Sequence, residues 1–552
     1  MSRIRIIILF IAIILIANKI SAQNFPTLQW SYDIGAPAFG SAAAADLDGD
    51  GKLEIVFTTY TNDGRAHCLN AEDGSVNWIY DINGCGDVAP VIYDMDGDSV
   101  LDVFINGSCN PTAFCIDGKT GTLKWSKPSG GGDSPPTVAD IDNDNKPEIL
   151  FGNFSGQIRI LNGEDGSLAK QIQVTTGPVQ TEPTLCDVNG DSMLDIIVAN
   201  HFNNSGYYTY CYDYATADTL WVNYHFDTSS TYYSYHGGAI ADIDLDGKNE
   251  YVIGDNSGMI RALNVEDGSV LWTKTGLTNV MSAISIADLD NDDTLEVIYN
   301  NNDYINFNDH IGILDGPSGN LEWMYPLTFS SFRGMAVGDV NGNGKLDLVS
   351  GHFMGEFIAI EPYTGLLWNI DLDTFFQQGL PWFNVDHGAL IADFDDDDTM
   401  EVFTVAGYGT YVPDSLNCGK AFMFNAGVGN CTSWLMFRHD IHRTAYLSNA
   451  EVAAACDTTA SLYASQNFSN ALQIMPNPFG DHLKFVFENK PKSPIEITLF
   501  NIHGQVTGYK YFETSIVSNE INFNTENLAP GVYFYVCQLG DKRVTGKVVK
   551  IK

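Results

Sequence analysis

The nine residues Asp46-Leu-Asp48-Gly-Asp50-Gly-Lys52-Leu-Glu54 constrain this chain most, because their pattern returns eight times. Side-chain oxygens at positions 1, 3 and 5, a backbone carbonyl at 7 and a carboxylate at 9 make a cage of hard oxygens. Ca²⁺ favours such a cage, taking six to eight oxygens at roughly 2.3–2.6 Å. In the first copy the five positions are Asp46, Asp48, Asp50, Lys52 and Glu54. The next three sets are Asp94, Asp96, Asp98, Val100 and Asp102; Asp140, Asp142, Asp144, Lys146 and Glu148; and Asp187, Asn189, Asp191, Met193 and Asp195. The last four are Asp242, Asp244, Asp246, Lys248 and Glu250; Asp288, Asp290, Asp292, Thr294 and Glu296; Asp339, Asn341, Asn343, Lys345 and Asp347; and Asp393, Asp395, Asp397, Thr399 and Glu401. One acidic loop alone reads as a solvated turn; eight in one frame predict up to eight Ca²⁺ sites. The seventh, with only Asp339 and Asp347 charged, is expected to be the weakest.

An EF-hand also opens D-x-D-x-D-G, but it closes with Glu at position 12 and runs into a helix. Here the closing acid stands at 9, position 12 of the first copy is Phe57, and strand-like runs such as Ile196-Ile-Val follow. The loops therefore lie between strands. First aspartates fall 48, 46, 47, 55, 46, 51 and 54 residues apart, the size of a four-stranded propeller blade. Small residues before each loop, as in Ser41-Ala-Ala-Ala-Ala, suit an innermost strand crowded at an axis. The predicted fold is all-β: a calcium-binding β-propeller with eight blades, or seven with one displaced copy, and then a small β-sandwich. Trp30 precedes Asp46 by 16 residues, as Trp78, Trp272 and Trp323 precede their next loops. The N-terminal strand is thus an outer strand without a blade before it, expected to complete the eighth blade and latch the ring.

The formal charge of −41 is concentrated in the cages, which argues against nucleic acid, a partner that needs basic patches. Residues 1–22 read as a signal peptide, with Arg3 and Arg5 before a short apolar run, and no later segment reaches membrane-spanning length. Ten scattered cysteines lack zinc-type C-x-x-C pairs. Cys85–Cys109 and Cys418–Cys431 are the expected disulfides, while Cys68, Cys115, Cys186 and Cys211 sit in strand-like runs that suit core residues.

Over residues 27–445 the acid loops resemble the FG-GAP (VCBS-type) repeats of integrin α-subunit propellers. That resemblance implies a calcium-binding propeller with the cage positions above as ligands. The turns Ala71-Glu-Asp-Gly-Ser-Val-Asn-Trp78 and Gly118-Lys-Thr-Gly-Thr-Leu-Lys-Trp125 also resemble the tryptophan-docking turns of eight-bladed pyrroloquinoline-quinone dehydrogenases, where the motif is structural. The adjacent-cysteine pair expected beside that cofactor is absent. Residues 23–449 form the propeller region, 450–470 read as a linker, and 471–552 resemble the C-terminal sorting domain of the type IX secretion system. This last resemblance implies export through the periplasm, contact with the type IX machinery, and release or attachment at the outer-membrane surface.

Longer loops gather on the face opposite the cages and are aromatic: Tyr232, Tyr233 and Tyr235; Phe329 and Phe332; Phe375, Phe376, Trp382 and Phe383. They either pack the loops or form a platform for a sugar or protein. Six residues before their cages, His236, Arg333 and His387 are placed at the mouth of a central channel, where an acid–base set would sit. The expected function is that of a monomeric secreted or surface module. It would bind a glycan or protein through His236, Arg333, His387, Trp382, Tyr233 and Phe376. The alternative is a polysaccharide lyase or hydrolase working at the channel mouth.

Overall fold

The computed structural model describes residues 26–448, except 87, 201–206, 227–231, 304–305, 307, 378–386, 396, 398, 410–415 and 430–431, together with most strand residues of 472–550. The signal peptide, Trp382, Phe383 and the linker therefore lie outside the described residues. The chain divides into two compact units, 1–457 and 458–552.

The first unit is an eight-bladed β-propeller with almost no helix. In blade 1, Ala43–Ala45, Glu54–Thr58, Arg65–Asn70 and Val76–Asp81 form a four-stranded antiparallel sheet, and the acid loop joins its first two strands. Burial follows the strand's place in the blade. Ala43–Ala45 and the whole of Glu54–Thr58 are buried, whereas Val76–Asp81 is mostly exposed and buries only Trp78. Alanines belong on the first strand because eight such strands crowd the axis.

The ring closes as the sequence predicts. Thr27–Ile34 pairs antiparallel with Cys418–Val428, from Thr27 opposite Asn425 to Ile34 opposite Gly419, and becomes the fourth strand of blade 8. Trp30 then reaches across to blade 1, where its indole N–H donates to the Ala71 carbonyl at 2.7 Å. The same bond joins Trp78 to Gly118, Trp125 to Gly163, Trp221 to Val265 and Trp272 to Gly316. Each indole lies on a turn glycine with left-handed φ; a Cβ on Gly121 would stand 2.6 Å from the Trp78 ring. Trp78→Phe keeps one aromatic ring but removes the buried hydrogen bond and the pyrrole part of the indole. It should lower stability by at least about 1 kcal/mol in urea melts.

The chain does not stop at blade 8. Thr432–Trp434 adds a fifth strand to the axial edge of blade 7, with Trp434 opposite Val337. The following residues run along the inner strands of the ring. The Ile441, His442 and Ala445 carbonyls accept from the Ile92, Val138 and Ile240 amides of blades 2, 3 and 5, and the Leu435 carbonyl accepts from Ile391 of blade 8. Trp434, Ala445 and Leu447 share a core cluster with Ile286 of blade 6. The axis is thus filled by residues 432–447.

The second unit contains a three-stranded and a four-stranded sheet. Leu483, Phe485, Ile521 and Phe523 from the first share one apolar cluster with Ile497, Leu499, Tyr533 and Val548 from the second.

Cys85 and Cys109 form the expected disulfide, with Cα atoms 5.1 Å apart. The Cys418–Cys431 expectation needs correcting, because Cys418 is a free thiol. It opens an eleven-residue strand, and at about 3.3 Å per residue that strand carries the chain far from Cys418 before residue 431 is reached. Cys431 itself lies outside the described residues. Cys68, Cys115, Cys186 and Cys211 are buried in the core, as expected.

Candidate functional site: acid cages and a filled axis

Each acid loop is built by the same internal hydrogen bonds. The ninth-position acid turns inward and accepts from the backbone N–H of position 2 in all eight: Leu47 to Glu54 at 2.8 Å, Leu289 to Glu296 at 2.6 Å, and the others at up to 3.3 Å. The first aspartate holds the tip of the loop, as when Asp46 accepts from Gly49 and Gly51. This path needs left-handed backbone at positions 4 and 6, and all seven loops described there have it. Leu245 accepts φ 61° at such a position despite its bulk, which marks the conformation as imposed by the loop rather than chosen by glycine.

The result is carboxylate crowding. In the groups Asp46/Asp48/Asp50, Asp94/Asp96/Asp102, Asp140/Asp142/Glu148, Asp242/Asp244/Asp246 and Asp288/Asp290/Glu296, one oxygen from each acid lies within 4.8 Å of the others. Burial pushes the ninth-position carboxyls upward, to about 7 at Glu54, Asp102 and Glu148, about 8 at Glu250, Asp347 and Glu401, and about 9 at Glu296. The neighbouring aspartates add to it, as Asp290 and Asp288 do at Glu296. Buried acids in this position are poorly tolerated as bare anions and well suited to a hard cation. Cage 7 carries amide side chains at positions 3 and 5. There the Asn341 amide donates to Asp347 at 3.1 Å and the Asn343 amide to Glu361 at 2.6 Å, so side-chain N–H groups already meet these acids.

The rim residues require a correction. His236, Arg333 and His387 do not border an open channel: they are 3%, 7% and 1% exposed. All three lie in a buried belt under the axial segment, whose Phe437 occupies the middle. The His236 ring centroid lies 5.1 Å from that of Phe437, and the Arg333 and Arg443 guanidinium carbons lie 6.0 and 5.9 Å from it. His236 Nδ1 is 2.8 Å from the buried Glu182 carboxylate, and His387 Nδ1 is 2.9 Å from the Gly388 carbonyl. Burial holds both imidazoles below the usual histidine range, His387 to about 3. His387 is a neutral packing group at physiological pH, and His236 is held between burial, which lowers it, and Glu182, which opposes that shift.

The segment's own arginines are fully buried. Arg438 donates to Thr184 Oγ1 at 2.9 Å and faces Glu182 at 3.8 Å; Arg443 donates to the Ala42, Phe437 and Pro90 carbonyls at 2.6, 2.6 and 3.2 Å. Nothing in the sequence analysis singled out Ser433–Asp440 for this role. The available signal was an apolar run with two arginines left over once the eighth blade was complete.

On the opposite face, Phe375 and Phe376 pack against the blade 8 core, 5.2 Å from Phe422 and 5.3 Å from Tyr408. Tyr233 is half-buried, and its backbone is held by Asn256 at 2.9 and 3.0 Å. Tyr232 is exposed. Phe154, in a short loop of blade 3, is 45% exposed and was not anticipated.

Residues 473–552 match the family model of a secretion system C-terminal sorting domain. The chain is therefore exported by the type IX system, to the cell surface or beyond it. Residues 27–241 match the model of outer membrane protein assembly factor BamB, which corrects the FG-GAP resemblance. The acid loops suggested FG-GAP repeats; the matched stretch includes the docked tryptophans Trp30, Trp78, Trp125 and Trp221. Among solved structures, the biofilm matrix protein Bap1 of V. cholerae is 14% identical with TM-score 0.51, over 75% of this chain and 94% of that one. A europium-containing methanol dehydrogenase is 11% identical with TM-score 0.53, over 73% and 93%. Sqt1 of Saccharomyces cerevisiae is 11% identical with TM-score 0.51, over 72% and 99%. At these identities the likeness concerns the fold alone. A comparison with curated proteins finds no match. Among the described residues, no helix is long and apolar enough to cross a membrane.

Proposed function

We propose that this chain is an exported, calcium-stabilised propeller that binds a glycan or protein ligand through the face opposite its acid cages. One observation favours binding over catalysis at a channel mouth. The axis is occupied by Phe437 and the buried arginines Arg438 and Arg443, and the two histidines suited to acid–base work are buried, His236 against Phe437 and His387 against the Gly388 carbonyl and Phe403. The binding surface then falls to the aromatic loops, where Tyr232 is exposed and Tyr233 half-buried and where the sequence adds Trp382. The cages supply the rigid frame on which those loops are carried.

A glycan array combined with product analysis tests this reading. Binding without new reducing or unsaturated ends is expected; turnover would instead support the lyase or hydrolase alternative. Trp382→Ala should weaken binding at least tenfold, about 1.4 kcal/mol, without moving the melting temperature. Asp48→Asn, in a cage, should lower stability and spare binding. The reverse pattern would mean that the binding face is wrongly assigned.

A further inference from the structure

The third and fourth strands of every blade slip register beside the tryptophan position, leaving the residue before it bulged, and blade 4 slips a second time at Tyr207/Tyr208. A bulge re-aims a side chain. The bulged residue is uncharged in every blade except two, where it is Lys124 of blade 2 and Glu322 of blade 6. Lys124 turns into the acid loop of its own blade. Its Nζ stands 2.9 Å from Asp96 Oδ2, 3.2 Å from Asp98 Oδ2 and 2.9 Å from Asp102 Oδ1. These are cage positions 3, 5 and 9, the same acids that would surround a metal ion. An ammonium has three N–H donors, and here it meets three carboxylates. Asp102 is fully buried, so water cannot supply its counter-charge. The fourth acid, Asp94, is turned to its own loop and accepts from the Gly97, Asp98 and Ser99 amides.

We infer that Lys124 is the resident cation of cage 2. A tethered ammonium needs no association step, and Ca²⁺ would have to displace it from all three acids at once. Blade 2 therefore keeps its loop closed without metal, whereas the six cages with three or four carboxylates and no such lysine depend on an added ion. The second half of this statement rests on the calcium reading above; the first half does not.

The experiment uses the full chain and two variants. Lys124→Met keeps most of the stem and removes the charge, and Lys124→Arg retains a charge. In excess chelator, Lys124→Met should melt several degrees below wild type and Lys124→Arg close to it. In equilibrium dialysis at millimolar Ca²⁺, Lys124→Met should bind one more ion per chain than wild type. Equal melting of Lys124→Met and wild type in chelator would overturn the inference. So would equal Ca²⁺ counts in a wild type that does bind the ion. If wild type binds no Ca²⁺, the calcium reading falls, and the chelator melts alone decide the role of Lys124.

Discussion

Arg443→Ala is expected to lower the stability of the propeller by about 3–5 kcal/mol, since a buried polar group left without its partner costs about 1–3 kcal/mol and three carbonyls lose theirs here. The guanidinium donates to carbonyls of blade 1, of the loop entering blade 2 and of the axial segment itself. Its own carbonyl accepts from Thr137 of blade 3 and from Arg438. Removing the side chain leaves three carbonyls without that donor at the point where the segment is tied to three blades, and buried acceptors without partners are penalised heavily. Burial is also why this arginine is held as low as about 9. The Asp440 and Glu182 carboxylates oppose that shift. Arg65→Ala, at a side chain 48% exposed, should change stability by no more than about 0.5 kcal/mol. Urea melts compare the two, and a loss under about 1 kcal/mol at Arg443 would mean that the axial segment is a passenger rather than a fastening.

Chelation is expected to produce the other large effect. With affinities near 10⁻⁴–10⁻³ M, as in extracellular modules, and millimolar Ca²⁺, each filled cage adds roughly 0.4–1.4 kcal/mol. Six cages would give roughly 2–8 kcal/mol. A unit of this size has an unfolding entropy near 1 kcal/mol/K, so excess chelator should lower the melting temperature by roughly 2–8 °C. Restoring Ca²⁺ should reverse the change, and Mg²⁺ should do so poorly because it demands a tighter octahedral shell.

The blades and their closure were legible in the sequence because both are periodic. Each loop runs from a first aspartate to an acid eight residues later, and Trp30 fell in register with Trp78 although no blade precedes it. The docking turns were legible for the same reason, since glycine and tryptophan recur at a fixed separation. The axial segment has no period. Trp434 and Phe437 lie in an apolar run that could equally have been another outer strand, and their partners come from nearly every blade. The misplacement of His236, Arg333 and His387 follows directly. Their position on the innermost entry of each blade was read correctly, but what covers them is a segment 50 to 200 residues further along the chain. Lys124 was hidden by a different cause. Side-chain alternation along a strand does not anticipate a bulge, so a lysine beside a tryptophan gave no sign of facing the cage.

The most direct test of the cages as the metal-dependent frame of the ring is equilibrium dialysis of metal-stripped protein against Ca²⁺ at neutral pH, with melting followed at each occupancy. The account predicts about six ions per chain at millimolar Ca²⁺, one for each cage that has three or four acids and no lysine ammonium on those acids, and a melting temperature that rises with the ions bound. Fewer than one ion per chain, or a melting temperature indifferent to occupancy, would contradict it.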